Sequence, residues 1–236
     1  MKIGIIGYGE VGHALGQVYK KNKKSFFVKD LEKDEGLDGC YILHFCTPYN
    51  DDFLSDTTSY INHYNPEYAV IHSTVPPGTT NEINKLTACN VAHSPIRGIH
   101  PELLEGILTF EKYVGADFDS GPITDHFKSL GIKTRVTSSR TSEIAKLLST
   151  TYYGVCIAWH GEMKKICDNL NVDFEEAVTE WNKDYNESYT KLGKGNVVRP
   201  VLYPPNKIGG HCVIPNAKIL KGVTDSTAID LLLEYS

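Results

Sequence analysis

The stretch KIGIIGYGEVG, Lys2–Gly12, decides the fold. Its first half is a short apolar run that reads as a buried strand, and EVGHALGQVYKKN behind it reads as an amphipathic helix. Between them, Gly7, Gly9 and Gly12 have the spacing of a dinucleotide-binding turn. Such glycines let the backbone approach a pyrophosphate, and the N-terminus of the following helix attracts its charge. The cofactor-binding positions in this turn are therefore Gly7, Tyr8, Gly9, Glu10, Val11 and Gly12. Asp30 follows Gly12 by 18 residues and ends a second strand, SFFVKD. A carboxylate there accepts hydrogen bonds from the adenosine ribose hydroxyls and repels a 2′-phosphate, which favours NAD over NADP.

Working outward, CYILHFCTP reads as a third strand stopped by Pro48, and YAVIHSTVPPG as a fourth stopped by two prolines. NVAHSP, KYVGAD and IKTRVTS complete a set of seven strands. Apolar runs alternating with amphipathic stretches are the pattern of repeated βαβ units around a parallel sheet. Thr47 and Pro48, at the end of the third strand, join the cofactor-binding positions. Near Ser139 the period changes: TSEIAKLLSTTYYGVCIAWHGEMKKICDNLN spaces its apolar residues at three and four, as one long helix with a bend expected at Gly154 or Gly161. A second helix starts behind Asp173 as N-cap, a Gly/Pro-rich loop runs to GGHC, and a last helix begins near Asp225. The reading is a doubly wound, mostly parallel Rossmann-type α/β sheet followed by a helical domain with one long helix. Residues 1–138 form the NAD-binding domain, and residues 139–236 form a helical domain for dimerisation and substrate that carries the GGHC loop.

Composition narrows the function classes. With 41 % hydrophobic and 22 % charged residues in 236, the chain has an ordinary soluble balance, and its net charge of −5 offers nothing to a polyanion, so no nucleic-acid partner is expected. The one basic cluster, Lys20–Lys24, suits the negative end of a helix dipole. Six cysteines show neither a CxxC pair nor zinc spacing, so no metal is expected and several read as reduced core thiols. The N-terminus enters a strand directly, and no apolar run reaches the ~20 residues of a membrane span; the expectation is a cytoplasmic protein without a membrane partner.

Four further features carry candidate chemistry. Thr74, in HSTVPPGTT, ends a parallel strand, where doubly wound sheets place ligands. Lys146 lies on the long helix among Ile144, Ala145, Leu147 and Leu148, where an ammonium orients a substrate oxygen or steadies an oxyanion. HSPIRGIHPEL mixes turn formers with His100 and Glu102. Cys212 stands behind Gly209 and Gly210, placed to attack an aldehyde as a thiolate.

GYGEVG, STVPPGTT, SEIAKLLSTTYYG and GGHC occur in the order, and near the spacing, of the UDP-glucose/GDP-mannose dehydrogenases, and the chain resembles that family over nearly its whole length. The resemblance implies oxidation of the C6 alcohol of a sugar nucleotide to a carboxylate, with two NAD and a cysteine thioester. It implies Cys212 as nucleophile, Lys146 steadying the oxyanion and Thr74 lining the nicotinamide and holding water. It also implies a homodimer built on the long helix. Thr150 and Asn216 occupy two more catalytic positions, where the family has Asn and Asp, and Ile96 stands where a glutamate normally follows Ser-Pro. Glu102 and His100 are the candidates to take over that glutamate's role in positioning water. Typical members continue into a second α/β domain that grips the nucleotide, so the resemblance reads this chain as a short form, its missing grip supplied by another chain, its substrate smaller, or its chemistry changed. Two alternatives stand beside this reading: a two-electron hydroxyacid-type dehydrogenase acting through Lys146, and a decayed NAD-binding module.

Overall fold

In the computed structural model, which describes residues 1–99 and 102–236, eight strands form one sheet. They are β1 (Ile3–Ile6), β2 (Phe27–Asp30), β3 (Lys33–Asp34), β4 (Ile42–Phe45), β5 (Tyr68–Ile71), β6 (Asn90–His93), β7 (Lys112–Gly115) and β8 (Thr134–Thr137), in the spatial order β3-β2-β1-β4-β5-β6-β7-β8. His100 lies outside the described residues. From β2 through β6 the pairings that involve β1, β2, β4, β5 and β6 are parallel; β3 and β7 each join antiparallel to their inner neighbour. The seven strands read from sequence are present. The eighth, β3, escapes a hydrophobic reading because it is two exposed charged residues, held by the Lys29–Asp34 ion pair at 2.5 Å. Short charged strands of this kind blunt a sheet edge.

The inner strands are apolar without a break because both faces are covered. Ile3, Ile5, Ile42 and Val70 feed one core, with Leu15, Val18 and Tyr19 of α1 (Glu10–Lys21) and Ile123 and Phe127 of α5 (Gly121–Lys128). Ile6, Leu43, Phe45, Ala69 and Ile71 feed the other, with Phe53 and Ile61 of α2 (Phe53–Tyr64) and Ile83 of α3 (Thr79–Leu86). Lys20 and Lys21 sit in the last turn of α1, as the dipole favours. α4 (Leu103–Thr109) packs its Leu103 and Ile107 into the first core.

The chain divides into two compact units, Met1–Lys146 and Leu147–Ser236. The division falls inside α6 (Ser139–Asn169), eight residues past the boundary at 138 expected from the change of period. The opening turns of α6 belong to the first unit because their polar side chains are tied there: Ser139 donates to Asp117, and Ser142 bonds His93.

In the second unit a π-helical stretch, Glu175–Glu180, leads into α7 (Trp181–Lys191), and the Asp173 carboxylate accepts the Glu176 amide as its N-cap. The loop beyond is pinned to α7 by Asn186, which brackets the Arg199 backbone, and by Arg199 stacked 3.5 Å over the Tyr185 ring. α8 (Val213–Lys221) follows directly on Cys212 and is an addition to the sequence reading, and α9 (Thr227–Leu233) is the last helix. Pro215 in the first turn of α8, where a proline costs no hydrogen bond, is the signal that marked its start. Gly154 and Gly161 have a different role from the expected bend. A Cβ on Gly154 would stand 2.2 Å from Leu232, and one on Gly161 2.5 Å from the Tyr235 ring, so both glycines admit the chain terminus against α6.

Candidate functional site

The first unit builds a cradle at the switch point, where β2 lies on one side of β1 and β4 on the other. Gly7 adopts φ +84°, and a Cβ there would come 2.9 Å from the Thr47 amide. Gly12 is closer still to its neighbour, with a Cβ position 2.0 Å from the Gly7 carbonyl oxygen. These two glycines are demanded by packing. Gly9 differs: a Cβ there would meet nothing within 4 Å, and as N-cap of α1 it lends no capping side chain to the first amides. A helix N-terminus open above a glycine is the shape that admits a pyrophosphate.

Asp30 closes one side of this cradle. Its Oδ2 accepts the Tyr8 amide and its Oδ1 the Leu31 amide, each at 2.7 Å. Each oxygen keeps a second lone pair for a further hydrogen-bond donor. The Tyr8 ring turns away to pack edge-on with His13 and to fill the space over Gly16, and Val11 packs against the core beneath. Glu10 is exposed in the first turn of α1, and Pro48 is exposed beside half-buried Thr47.

The register Ile6↔Phe45↔Ile71↔His93 brings the loops after β1, β4, β5 and β6 to one edge of the sheet. A relay of polar bonds ties them together. Ser73 donates to the Thr47 carbonyl, and His93 Nε2 meets the Ser73 carbonyl at 3.0 Å. His93 Nδ1 then bonds Ser142 of α6 at 2.8 Å. Half-buried Thr74 lies within this set. Glu143, fully buried, accepts the Gly78 amide (2.6 Å), the Thr80 amide (2.8 Å) and the Thr80 hydroxyl (2.6 Å), so it clamps the VPPGTT turn. Burial raises its pKa, and those three donors oppose the shift. One helical turn on, Lys146 Nζ donates to the Ile96 carbonyl at 2.9 Å. The Ile96 side chain is core, and Glu102 is exposed at the N-cap of α4.

Sequence reasoning missed Glu143 and Lys112. Lys112 is 4 % exposed at the start of β7 and donates to the Ser94 carbonyl at 2.9 Å. Burial first, then the charges of Lys146 and Arg97, pull it down to about 7 against the opposing pull of Cys46. From the same carbonyl a buried chain runs under the sheet: His72 Nδ1 at 2.6 Å, His72 Nε2 to His44 Nδ1 at 3.0 Å, His44 Nε2 to the Tyr19 hydroxyl at 2.8 Å, and that hydroxyl to His126 Nε2 at 2.6 Å. A carbonyl only accepts, so His72 must donate to it, and every later link then has one polarity with all three rings neutral. The terminal His126 Nδ1 is a buried lone pair with no hydrogen-bond partner among the described residues.

In the second unit Cys212 is half-buried at the N-cap of α8, behind exposed Gly209 and Gly210. Gly210 has φ +88°, which a side chain would strain. Asn216 is buried one turn into α8, and Thr150 is half-buried on α6. Burial pushes the thiols of Cys46 and Cys89, both in the first unit, up to about 12, which keeps them protonated at neutral pH. Among the described residues no group of three or more His, Cys, Asp or Glu is placed to hold a metal ion, and no helix is long and apolar enough to cross a membrane.

Residues 140–233 match the model of the UDP-glucose/GDP-mannose dehydrogenase family, central domain. By that match, the second part of the chain is similar to the UDP-glucose/GDP-mannose dehydrogenases. The chain's curated relatives include the UDP-N-acetyl-D-mannosamine dehydrogenase of Methanocaldococcus jannaschii, 29 % identical over 156 residues, which is 63 % of this chain and 34 % of the relative. The enzyme of the same name from Methanococcus vannielii is 30 % identical over 149 residues, 61 % of this chain and 32 % of the relative. The matched segment thus spans about a third of these relatives. The structure of UDP-D-ManNAc dehydrogenase from Pyrococcus horikoshii superposes with a TM-score of 0.81 at 16 % identity, covering 100 % of this chain and 68 % of that one, which establishes the shared Rossmann-type fold.

Proposed function

We propose that this chain is a member of the UDP-glucose/GDP-mannose dehydrogenase family, an NAD-dependent oxidoreductase that converts an alcohol of a nucleotide sugar to a carboxylate through a thioester on Cys212. The observation that carries the reading is the cradle, with Gly9 open above the α1 N-terminus and Asp30 anchored beside it. Residues 1–138 would be the NAD-binding domain and residues 139–236 the helical dimerisation and substrate domain. Bound NAD would supply the hydride acceptor, once for alcohol to aldehyde and once for the sulfur adduct to thioester. The Cys212 sulfur adds to the aldehyde carbon, whose oxygen takes a proton, and water later cleaves the thioester to return the thiol. A helix N-terminus, where Cys212 stands, is a place where negative charge is stabilised. Lys146 is assigned to the developing oxyanion, Thr74 to the nicotinamide and the water, and Thr150 and Asn216 to the polar positions that elsewhere in the family are Asn and Asp. Turnover with NAD and a panel of nucleotide sugars tests the whole: two NADH per carboxylate are expected, and one per product overturns it.

The cofactor half has its own test. Asp30→Ala is expected to weaken NAD by about 1–3 kcal/mol, because two ribose hydroxyls lose their acceptor. Unchanged affinity by calorimetry would remove Asp30 from the site. A homodimer through α6 is supported by Leu148, Tyr152, Trp159 and Ile166, which recur at steps of four and seven and are each about half exposed or more. Trp159→Lys sedimenting as a monomer is the expected result; wild-type sedimentation would exclude this face.

A second reading, a two-electron hydroxyacid-type dehydrogenase, draws on Ile96: where the family has a carboxylate, its side chain is core and Lys146 holds its carbonyl. In that case Lys146→Ala abolishes turnover and Cys212→Ser leaves it intact.

A further inference from the structure

We propose that Gly154, Gly161 and Tyr235 are positioning residues that set the location of the Cys212 sulfur by holding the GGHC segment to α6 at both ends. The inference rests on the reading of Cys212 as nucleophile, and it comes from contacts within the second unit alone.

Gly209, Gly210 and His211 form a short exposed span that leads into Cys212, whose carbonyl accepts the Asn216 amide at the start of α8. Added Cβ atoms on the two glycines would meet nothing within 4 Å. Glycine gives such a span more conformations than any other residue, so its geometry has to come from its ends. At the front end, the Ile208 amide donates to the Tyr235 carbonyl at 2.7 Å, and both residues are buried. The Tyr235 ring sits where a Cβ of Gly161 would be, 2.5 Å from that position, and its hydroxyl donates to Glu162 at 2.6 Å. Lys165 closes over the ring at 4.7 Å from its centroid. At the back end, Val213, adjacent to Cys212, places its Cγ1 2.5 Å from the Cβ position of Gly154. Leu232 of α9 fills the same notch and is fully buried.

The two seats are seven residues apart on one helix, about 10.5 Å along its axis. A rigid ruler therefore carries both anchors, and the four residues between them can adopt only conformations that span it. Glycine is required at each seat for a packing reason. An alanine at 154 has to push back both Leu232 and Val213, and because Val213 is stiff at χ1 its displacement moves the backbone next to the sulfur. An alanine at 161 has to lift the Tyr235 ring and with it the carbonyl that holds Ile208.

The test uses the full chain and two readouts. One is kcat and KM for NADH formation with a nucleotide sugar. The other is the rate at which iodoacetamide alkylates Cys212, resolved by peptide mass spectrometry, with Cys156 on α6 as reference within the same molecule. Gly154→Ala is expected to lower kcat roughly 10- to 100-fold with KM for NAD unchanged, since a displacement of about 1 Å costs that much. It should also shift Cys212 alkylation by about threefold or more relative to Cys156. Adding Val213→Ala, which removes the clash next to the sulfur and leaves the one with Leu232 on α9, should restore both in part. Tyr235→Phe keeps the ring and carbonyl, so it folds where the glycine variants do not, and it should shift Cys212 alkylation in the same sense but less. Wild-type alkylation in Tyr235→Phe together with no rescue by Val213→Ala overturns the inference, as does an equal shift at Cys156. Alkylation needs no turnover, so a failure of the dehydrogenase reading, seen as full activity in Cys212→Ser, is a separate result from a failure of positioning.

Discussion

Cys212→Ser is expected to stop carboxylate formation, lowering it by roughly 10³-fold or more, the scale seen when a covalent nucleophile is removed. A serine hydroxyl is almost wholly protonated at neutral pH, whereas a thiol yields a useful fraction of thiolate and leaves readily from a thioester. The first oxidation, alcohol to aldehyde, needs no sulfur. The variant should therefore bind NAD as the wild type does and release at most one NADH per sugar consumed. Lys146→Ala should slow both oxidations, because an oxyanion develops in each. Product mass spectrometry with NADH counting reads the difference. Carboxylate produced by Cys212→Ser at the wild-type rate would leave Cys212 as a packing residue and pass the chemistry to Lys146.

The protein is expected to unfold in mild acid, driven by its buried histidines. Burial lowers the pKa of His44 and His72 well below the ordinary value, His93 to about 3 and His126 to about 4. Unfolded, each titrates near 6.5. Below that pH the unfolded chain binds protons that the fold excludes, so stability is fully present above about 6.5 and is lost as the pH falls toward the folded values. Each ring costs up to about 1.4 kcal/mol per pH unit, so four acting together approach about 5 kcal/mol per unit. Against an ordinary stability of about 5–15 kcal/mol, unfolding is expected within about two to three units below 6.5. Lys112, pulled down to about 7, acts with the same sign in a higher window: stability rises between about pH 7 and its unfolded value near 10.4. Denaturant titrations from pH 10 to pH 4.5 check both windows. Stability that stays level from pH 6.5 to 5 would mean that the rings are hydrated or already charged in the fold.

The imidazole chain also bears on the site. It ends on the Ser94 carbonyl, which Lys112 shares, two residues before the Ile96 carbonyl that Lys146 takes. Protonation at the terminal His126 Nδ1 disturbs a ladder whose other end holds the loop under Lys146. Loss of activity on acidification is thus expected to track the loss of stability.

What was legible in the sequence is the part built from neighbours along the chain. Strand, glycine turn and helix lie within Lys2–Lys21, and Asp30 is one crossover away, so spacing alone located the cradle. Short unbroken apolar runs and the three- and four-residue spacing separated sheet from helices, and Asp173 announced its cap. Tertiary structure alone decided the rest. Tyr19 and His126 are 107 positions apart, and Glu143 and Thr80 are 63 apart, and no local pattern tells a buried polar residue from a solvated one. Gly154 and Gly161 looked like breaks in a helix until the residues that fill their missing Cβ positions arrived from the end of the chain. The reason is physical: backbone conformation is set by residues a few positions away, whereas burial, tautomer and pKa depend on partners that only the completed fold brings within reach.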